Sequence, residues 1–331
     1  MSSSKVKSTG NLAMSKYSLE GKRVWVAGHK GMVGSALVRR LAKEGVAEIL
    51  TADRHELDLL RQSDVETWMD DKKPDAIFLA AAKVGGIVAN ATYPAQFLYE
   101  NTAIAMNIIH AAHVAKVEKL LFLGSSCIYP KMAPQPISEN SLLTGPLEPT
   151  NQWYAIAKIS GLMMCRAYRE QYGDDFISAM PTNLYGPGDN YHLENSHVIP
   201  ALIRKAHDAK VAGADTMEIW GTGNALREFM HVDDLANGLV YMMKNVSQSE
   251  HLNIGAGSDV SIKALAELIM KVVGFEGGLV HDISKPDGTP RKIMDDSQLK
   301  SQGWEPTISL EAGLADAYGW FRTHLDELRE S

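Results

Sequence analysis

The stretch from Arg23 to Gly45 narrows the possible folds of this chain more than any other. A short apolar run, Val24-Trp25-Val26-Ala27, passes directly into Gly28-His29-Lys30-Gly31-Met32-Val33-Gly34 and then into the helical pattern SALVRRLAKEG. A strand feeding a glycine-rich turn and a helix is the opening unit of a doubly wound parallel sheet. Glycine makes the tight turn and lets backbone N–H groups approach a pyrophosphate, while the helix N-terminus supplies partial positive charge. The spacing is G-x-x-G-x-x-G, and its position between a first strand and a first helix separates it from an ordinary glycine turn.

The same alternation continues downstream. Strands are predicted at 23–27, 48–52, 75–82, 119–124 and 175–180, with helices at 33–44, 61–71, 94–116 and 153–172. Apolar residues recur at helical spacing, as in Leu98, Ala105, Ile108, Ile109 and Ala112. The pattern predicts an α/β chain with a Rossmann-like doubly wound parallel sheet. After Pro181 the rhythm breaks in PTNLYGPGDNYH, and less regular elements follow: strands at 217–221 and 251–254 and a helix at 261–273. The expected organisation is a tail over 1–18, a cofactor domain over 19–184, and a smaller, partly interleaved α/β substrate domain over 185–331.

Bulk properties exclude several roles. A formal charge of −7 argues against a sequence-independent nucleic-acid binder, which needs excess Lys and Arg to displace counterions. No apolar run reaches the ~18 residues of a membrane span. Residues 1–18 are rich in Ser and Lys and lack the apolar stretch of a secretory leader; Met14 offers an alternative start. The two cysteines, Cys127 and Cys165, indicate no disulfide framework and point to a reducing cytoplasm.

Cofactor choice turns on Asp53-Arg54, about twenty residues past Gly34, where an acid would bind a ribose 2′-OH and an Arg a 2′-phosphate. Lys30, inside the turn, adds a second cation, so NADP(H) is expected. Arg54 also fits a solvated surface charge. Asp58 fits either an adenine contact or the cap of the next helix. The small side chains of Ala80-Ala81-Ala82 suit a backbone lying close to a dinucleotide, and equally a tight core.

Tyr154 and Lys158 stand four apart in a helical pattern and so share one face. An ammonium there can tune a phenol that donates a proton to a carbonyl oxygen. Ser125 follows the strand at 119–124, at the edge of the sheet where ligands bind. A Ser/Tyr/Lys set after a glycine-rich first turn indicates an enzyme.

The segments GHKGMVGSA, LAAAKVGGIVAN, FLGSSCIYPK, EPTNQWYAIAK, MPTNLYGPGDNYH, NSHVIPALIRK, REFMHVDDLA and KPDGTPRK resemble the GDP-L-fucose synthases, a family of extended short-chain dehydrogenases/reductases, over about residues 20–325. Asp53 departs from that pattern. The resemblance implies that Ser125, Tyr154 and Lys158 form a reductase set and that Cys127 and His197 are an acid/base pair for epimerisation. It implies cofactor contacts from Gly28 through His29, Lys30, Gly31, Met32 and Val33 to Gly34, from Arg54, from Leu123 to Ser126 by way of Gly124, and from Lys158. Pro181, Thr182, Asn183, Leu184 and His197 would complete the NADP(H) site. Lys205, Trp220, Arg227 and Asp287 would contact a GDP-sugar, with no metal. A homodimer through the helices at 94–116 and 153–172 is also implied.

The chemistry suits these roles. A 4-keto group acidifies the C–H bonds on both neighbouring carbons, and thiols and imidazoles titrate near enough to neutrality, at about 8.5 and 6.5, to exchange such protons. Read from the residues alone, Cys127 fits a small buried hydrophobe, His197 a cap for a helix over 198–208, and Trp220 a core position. Lys205 fits a solvated helix face and Asp287 a simple turn. Three rival readings remain beside this one: a sister enzyme making another GDP-deoxyhexose such as GDP-L-colitose, a C4-epimerase that retains NAD, and a non-catalytic dinucleotide-binding module.

Overall fold

The computed structural model describes residues 16–192, 196–285 and 287–329. The expected tail lies outside these up to residue 15, as do Asn195 and Pro286 of the quoted motifs. The first part of the chain runs β1 (Arg23–Ala27), α1 (Met32–Leu41), β2 (Glu48–Leu50), α2 (Gln62–Lys72), β3 (Ala76–Leu79), α3 (Ile87–Thr92), α4 (Pro94–Val114), β4 (Lys119–Leu123), α5 (Gln152–Tyr172) and β5 (Phe176–Pro181). It continues through β6 (Asn183–Tyr185), α6 (Val198–Ala212), β7 (Thr216–Trp220), β8 (Leu226–His231), α7 (Val232–Asn245), β9 (Leu252–Ile254) and β10 (Asp259–Ser261). Last come α8 (Ile262–Val273), β11 (Gly278–Asp282), β12 (Arg291–Lys292), α9 (Ser297–Ser301), α10 (Leu310–Thr323) and α11 (Leu325–Arg329).

Six parallel strands form the main sheet in the order β2-β1-β3-β4-β5-β9. Successive strand residues point to opposite faces, and the packing follows that period. Val24, Val26, Leu121 and Leu123 join a core beneath α1 and α7. Trp25, Ala27, Leu120 and Phe122 join another, beneath α2, α4 and α5. Both faces are covered, which is why these strands read as continuous apolar runs rather than alternating ones.

A third core gathers Ile199, Ile203, Met217, Leu265, Ile269, Leu314 and Phe321, from α6, β7, α8 and α10. Beside it, β8 pairs with β6, β10 and β12, and β7 pairs with β11. Helix α8 shows how local sequence sets an element. The Ser261 hydroxyl accepts from Ala264 N–H at its start, and Gly274, with φ of +73°, ends it in the left-handed region.

The chain past residue 185 does not stay with this third core. Strand β9 completes the main sheet beside β5, and α7 packs on α1, where Arg39 pairs with Asp233 at 2.6 Å and Arg40 donates to Asn237 at 3.1 Å. The predicted strands and helices recur with ends shifted by a few residues. Helices α3, α7, α9, α10 and α11 and strands β6, β8, β10, β11 and β12 were not foreseen. The strands among them are two to six residues long and pair with partners distant in sequence, so no local periodicity marks them.

Candidate active site

At its β1/β3 switch point the main sheet opens a crevice beyond the strand C-termini, where doubly wound folds bind ligands. Two glycines of the turn are demanded by the protein itself. A Cβ on Gly28, whose φ is +87°, would stand 2.7 Å from the Ala81 backbone, and one on Gly34 would stand 2.0 Å from the Gly28 carbonyl oxygen. The turn thus lies directly against the backbone of Ala80 and Ala81, a contact that fixes Gly28 and leaves the size of the alanine side chains unexplained. Gly31 differs: a Cβ there would meet nothing nearer than 3.5 Å. As the N-cap of α1 it carries no side chain, so the helix N-terminus stays open to an anion.

Lys30 is bound to Asp53 at 2.9 Å, and that ammonium is the main cause holding the Asp53 carboxyl down to about 2. Arg54 is exposed and makes no ion pair among the described residues. Of the two cations expected at a 2′-phosphate, one is shared with an acid and one is uncommitted. Asp58 does not cap α2, as one reading had it. The N-cap is Arg61, and Asp58 instead accepts from Leu60 N–H at 3.0 Å.

Strand β4 ends at Leu123, and Ser125 opens a one-turn 3₁₀ helix over Ser126–Ile128 by accepting from Cys127 N–H at 3.2 Å. Tyr154 and Lys158 lie one turn apart on α5. The Lys158 ammonium donates to the Leu123 carbonyl at 2.7 Å and stands 5.7 Å from the centre of the Tyr154 ring. Burial lowers its pKa to about 8. Burial also raises the Tyr154 phenol, as does the neighbouring Cys127 sulfur, against a smaller opposite pull from a hydrogen bond with Ser125. Such a phenol keeps its proton at neutral pH, beside a cation that can stabilise the phenolate once the proton is given away.

Cys127 is half-buried on the 3₁₀ turn, not sealed in a core, and its sulfur accepts from Asn151 Nδ2 at 3.2 Å. His197 occupies the N-cap position of α6 but makes no side-chain cap. His197 is exposed, yet desolvation by the protein beside it lowers its pKa. Thr182 and Asn183 both turn their side chains to the Glu228 carbonyl, at 3.4 and 2.8 Å. Those side chains tie the start of β6 to β8.

Trp220 is 57% exposed, so its core alternative fails. The ammonium groups of Lys205 and Lys285 lie 5.3 and 5.4 Å from its ring centre, a plate with cations beside it that suits a base and its phosphates. Arg227 is half-buried, and desolvation lowers its pKa. Both Asp287 oxygens accept from Thr222, at 2.6 and 2.9 Å. This carboxylate clamps the turn after Trp220, a contact that neither reading of Asp287 anticipated.

Three residues escaped the sequence reading. Lys285 stands in the KPDGTPRK segment, and only the fold brings it over Trp220. Glu228 follows Arg227 and is fully buried, its oxygens accepting from Ala256, Gly257 and Met294 N–H at 2.7, 2.9 and 3.0 Å. Asn151 lies three residues before Tyr154, yet nothing in its spacing announces a sulfur partner. Among the described residues no group of three or more His, Cys, Asp or Glu side chains could hold a metal ion. Among them, too, no helix is long and apolar enough to cross a membrane.

A doubly wound sheet with this turn and this Tyr–Lys helix is the framework of a dinucleotide-dependent enzyme. The model of the NAD dependent epimerase/dehydratase family matches residues 24–255, and the chain belongs to that family. It is 57% identical to the GDP-L-fucose synthase of Sinorhizobium fredii, over 93% of this chain and 98% of that protein. Identity to the GDP-L-colitose synthase of Yersinia pseudotuberculosis is 39%, over 90% of this chain and 97% of that one. A solved GDP-L-fucose synthetase from Naegleria fowleri bound to NADP superposes with a TM-score of 0.87 at 26% identity, covering 95% of this chain and 98% of that one.

Proposed function

We infer that this chain converts GDP-4-keto-6-deoxy-D-mannose to GDP-L-fucose by inverting C3 and C5 and reducing the C4 ketone with NADPH. The observation that carries this reading is Cys127, set on the turn that also carries Ser125 and close enough to raise the Tyr154 pKa. A reductase alone has no use for a thiol there. The identity to GDP-L-fucose synthases, well above that to a GDP-L-colitose synthase, supports this sugar.

The open helix end at Gly31 and the uncommitted Arg54 fit a dinucleotide carrying a 2′-phosphate. When bound, NADPH supplies the hydride for the C4 carbon. Cys127 and His197 exchange protons at C3 and C5, whose acidity comes from the C4 ketone. Tyr154 then donates its proton to the C4 oxygen, Ser125 holds that oxygen, and Lys158 stabilises the resulting phenolate. Trp220, Lys205 and Arg227 hold the guanine nucleotide, with Asp287 fixing the turn beneath Trp220.

The chain works as a cytoplasmic homodimer, joined through α4 and α5. In support, these helices pack on each other and expose Tyr99, Met106, Trp153 and Ile156, more apolar surface than a lone helix pair ordinarily shows to water. Incubating the purified chain with GDP-4-keto-6-deoxy-D-mannose and NADPH should lower absorbance at 340 nm and give GDP-L-fucose by NMR. Unchanged absorbance with no such product overturns the reading.

A further inference from the structure

The N-terminus of α5 breaks a local rule. Asn is among the best N-cap residues because its side-chain oxygen can accept from the exposed N–H groups of the first turn. Asn151 occupies the N-cap of α5 and makes no such bond. Its amide reaches the other way, and Nδ2 donates to the Cys127 sulfur at 3.2 Å. Its Oδ1 is buried and has no partner among the described residues. The side chain thus forgoes the cap and leaves a buried carbonyl unsatisfied, both of which cost stability. Helices α8 and α10, away from the crevice, have serine N-caps that do accept from their first turns, at 3.1 and 3.3 Å. Local rules broken without structural gain are expected where function demands it.

We propose that Asn151 is a positioning residue for the epimerisation, holding the Cys127 sulfur by an N–H donor so that this sulfur takes the sugar proton. The proposal rests on the function inferred above. In the step it serves, a C–H bond next to the C4 ketone breaks and an S–H bond forms. The electron pair of the C–H bond moves onto the C4 oxygen as an enolate, and His197 returns a proton to the opposite face of the carbon. Negative charge is on sulfur before the transfer and on the sugar oxygen after it. A donor fixed on the sulfur favours its charged form and sets its direction of approach. Asn151 is on the same helix as Tyr154, one turn before it, so a single rigid element would align the proton acceptor of one reaction and the proton donor of the other.

An isosteric replacement separates this role from packing. Asn151→Asp keeps the shape but places a carboxylate against the sulfur, whereas Asn151→Ala removes the whole amide, donor included, and adds no charge. Two readouts follow. The first is the pH dependence of Cys127 alkylation by iodoacetamide, with Cys127→Ala as the blank; it needs no substrate. Its midpoint should rise in Asn151→Ala and rise further, by at least about one pH unit, in Asn151→Asp. The second is deuterium uptake from D₂O at C3 and C5, which should fall about tenfold or more in both variants, with Asp the slower. NADPH affinity, read by fluorescence, should match the parent chain and so report an intact fold. A merely structural Asn would make Asp the milder change. Equal midpoints in all three proteins, or Asp exchanging faster than Ala, overturns the proposal. If the parent chain itself exchanges no deuterium and makes no GDP-L-fucose, the proposed function fails, and this proposal with it.

Discussion

The two ends of the crevice are built on opposite physical terms. At the reductive end, Lys158 is buried and Tyr154 half-buried, and desolvation moves both pKa values, the phenol upward and the ammonium to about 8. At the nucleotide end, Trp220 is 57% exposed and the charges beside it are solvated or only half-buried. Proton transfer gains from a dry site, where each fixed dipole and charge acts at close to full strength. Capture of a large, charged ligand gains from groups that water can still reach, because burying them in the empty site would cost more than the contacts return. On the roles proposed above, proton donation to the ketone and capture of the nucleotide are given different solvents in one cleft.

That contrast breaks first at Tyr154. Replacing it with Phe removes only the phenolic oxygen and its proton, and NADPH consumption should slow by roughly 10²–10⁴-fold. Deuterium uptake at C3 and C5 should persist, because it uses Cys127 and His197. If Tyr154→Phe abolishes exchange as fully as reduction, the two reactions are not divided as proposed.

Next comes Lys158. Its folded pKa, about 8, lies below the ordinary lysine value, so the ammonium is present below pH 8 and lost above it. The log of kcat/KM for reduction should therefore turn downward near pH 8 and then fall about tenfold per unit. Folding carries the opposite sign. The folded chain releases this proton before the unfolded one, so Lys158 opposes folding below about 8 and the opposition fades as pH rises toward the unperturbed value. Lys158→Arg, charged throughout, should move the activity limb to higher pH. A profile flat through pH 8 would show that burial does not set this group.

At the open end the effects should be smaller and should fall on binding. Arg227→Ala should raise KM for the GDP-sugar about 10- to 100-fold with kcat little changed, the usual worth of hydrogen bonds to a charged group. A loss confined to kcat would move Arg227 to the chemical end. The smallest effect is expected at Arg54, which is fully in water. Arg54→Ala should raise KM for NADPH about five- to tenfold and leave NADH alone, an exposed ion pair being worth about 1 kcal/mol. Equal loss for both cofactors would remove Arg54 from the 2′-phosphate, and would make Lys30, once released from Asp53, the cation to test.

Much of this molecule follows from local sequence. The turn from Gly28 to Gly34 was legible because backbone geometry leaves glycine few substitutes there: Gly34 has no room for a methyl group beside the Gly28 carbonyl. The strands of the main sheet were legible because both their faces are buried, and Tyr154 with Lys158 because helical spacing alone puts them on one face. Those constraints act within a few residues, so a string of residues can carry them. The sulfur partner of Cys127, the second lysine over Trp220, the return of β9 to the main sheet and the capture of Lys30 by Asp53 depend on contacts between segments far apart in the chain. Sequence determined which groups the chain possesses and which elements present them. Only tertiary structure decided which of those groups lie in water and which are buried, and therefore which charges are free to bind and which are tuned to react, because desolvation is a property of the whole packed environment and of no single segment.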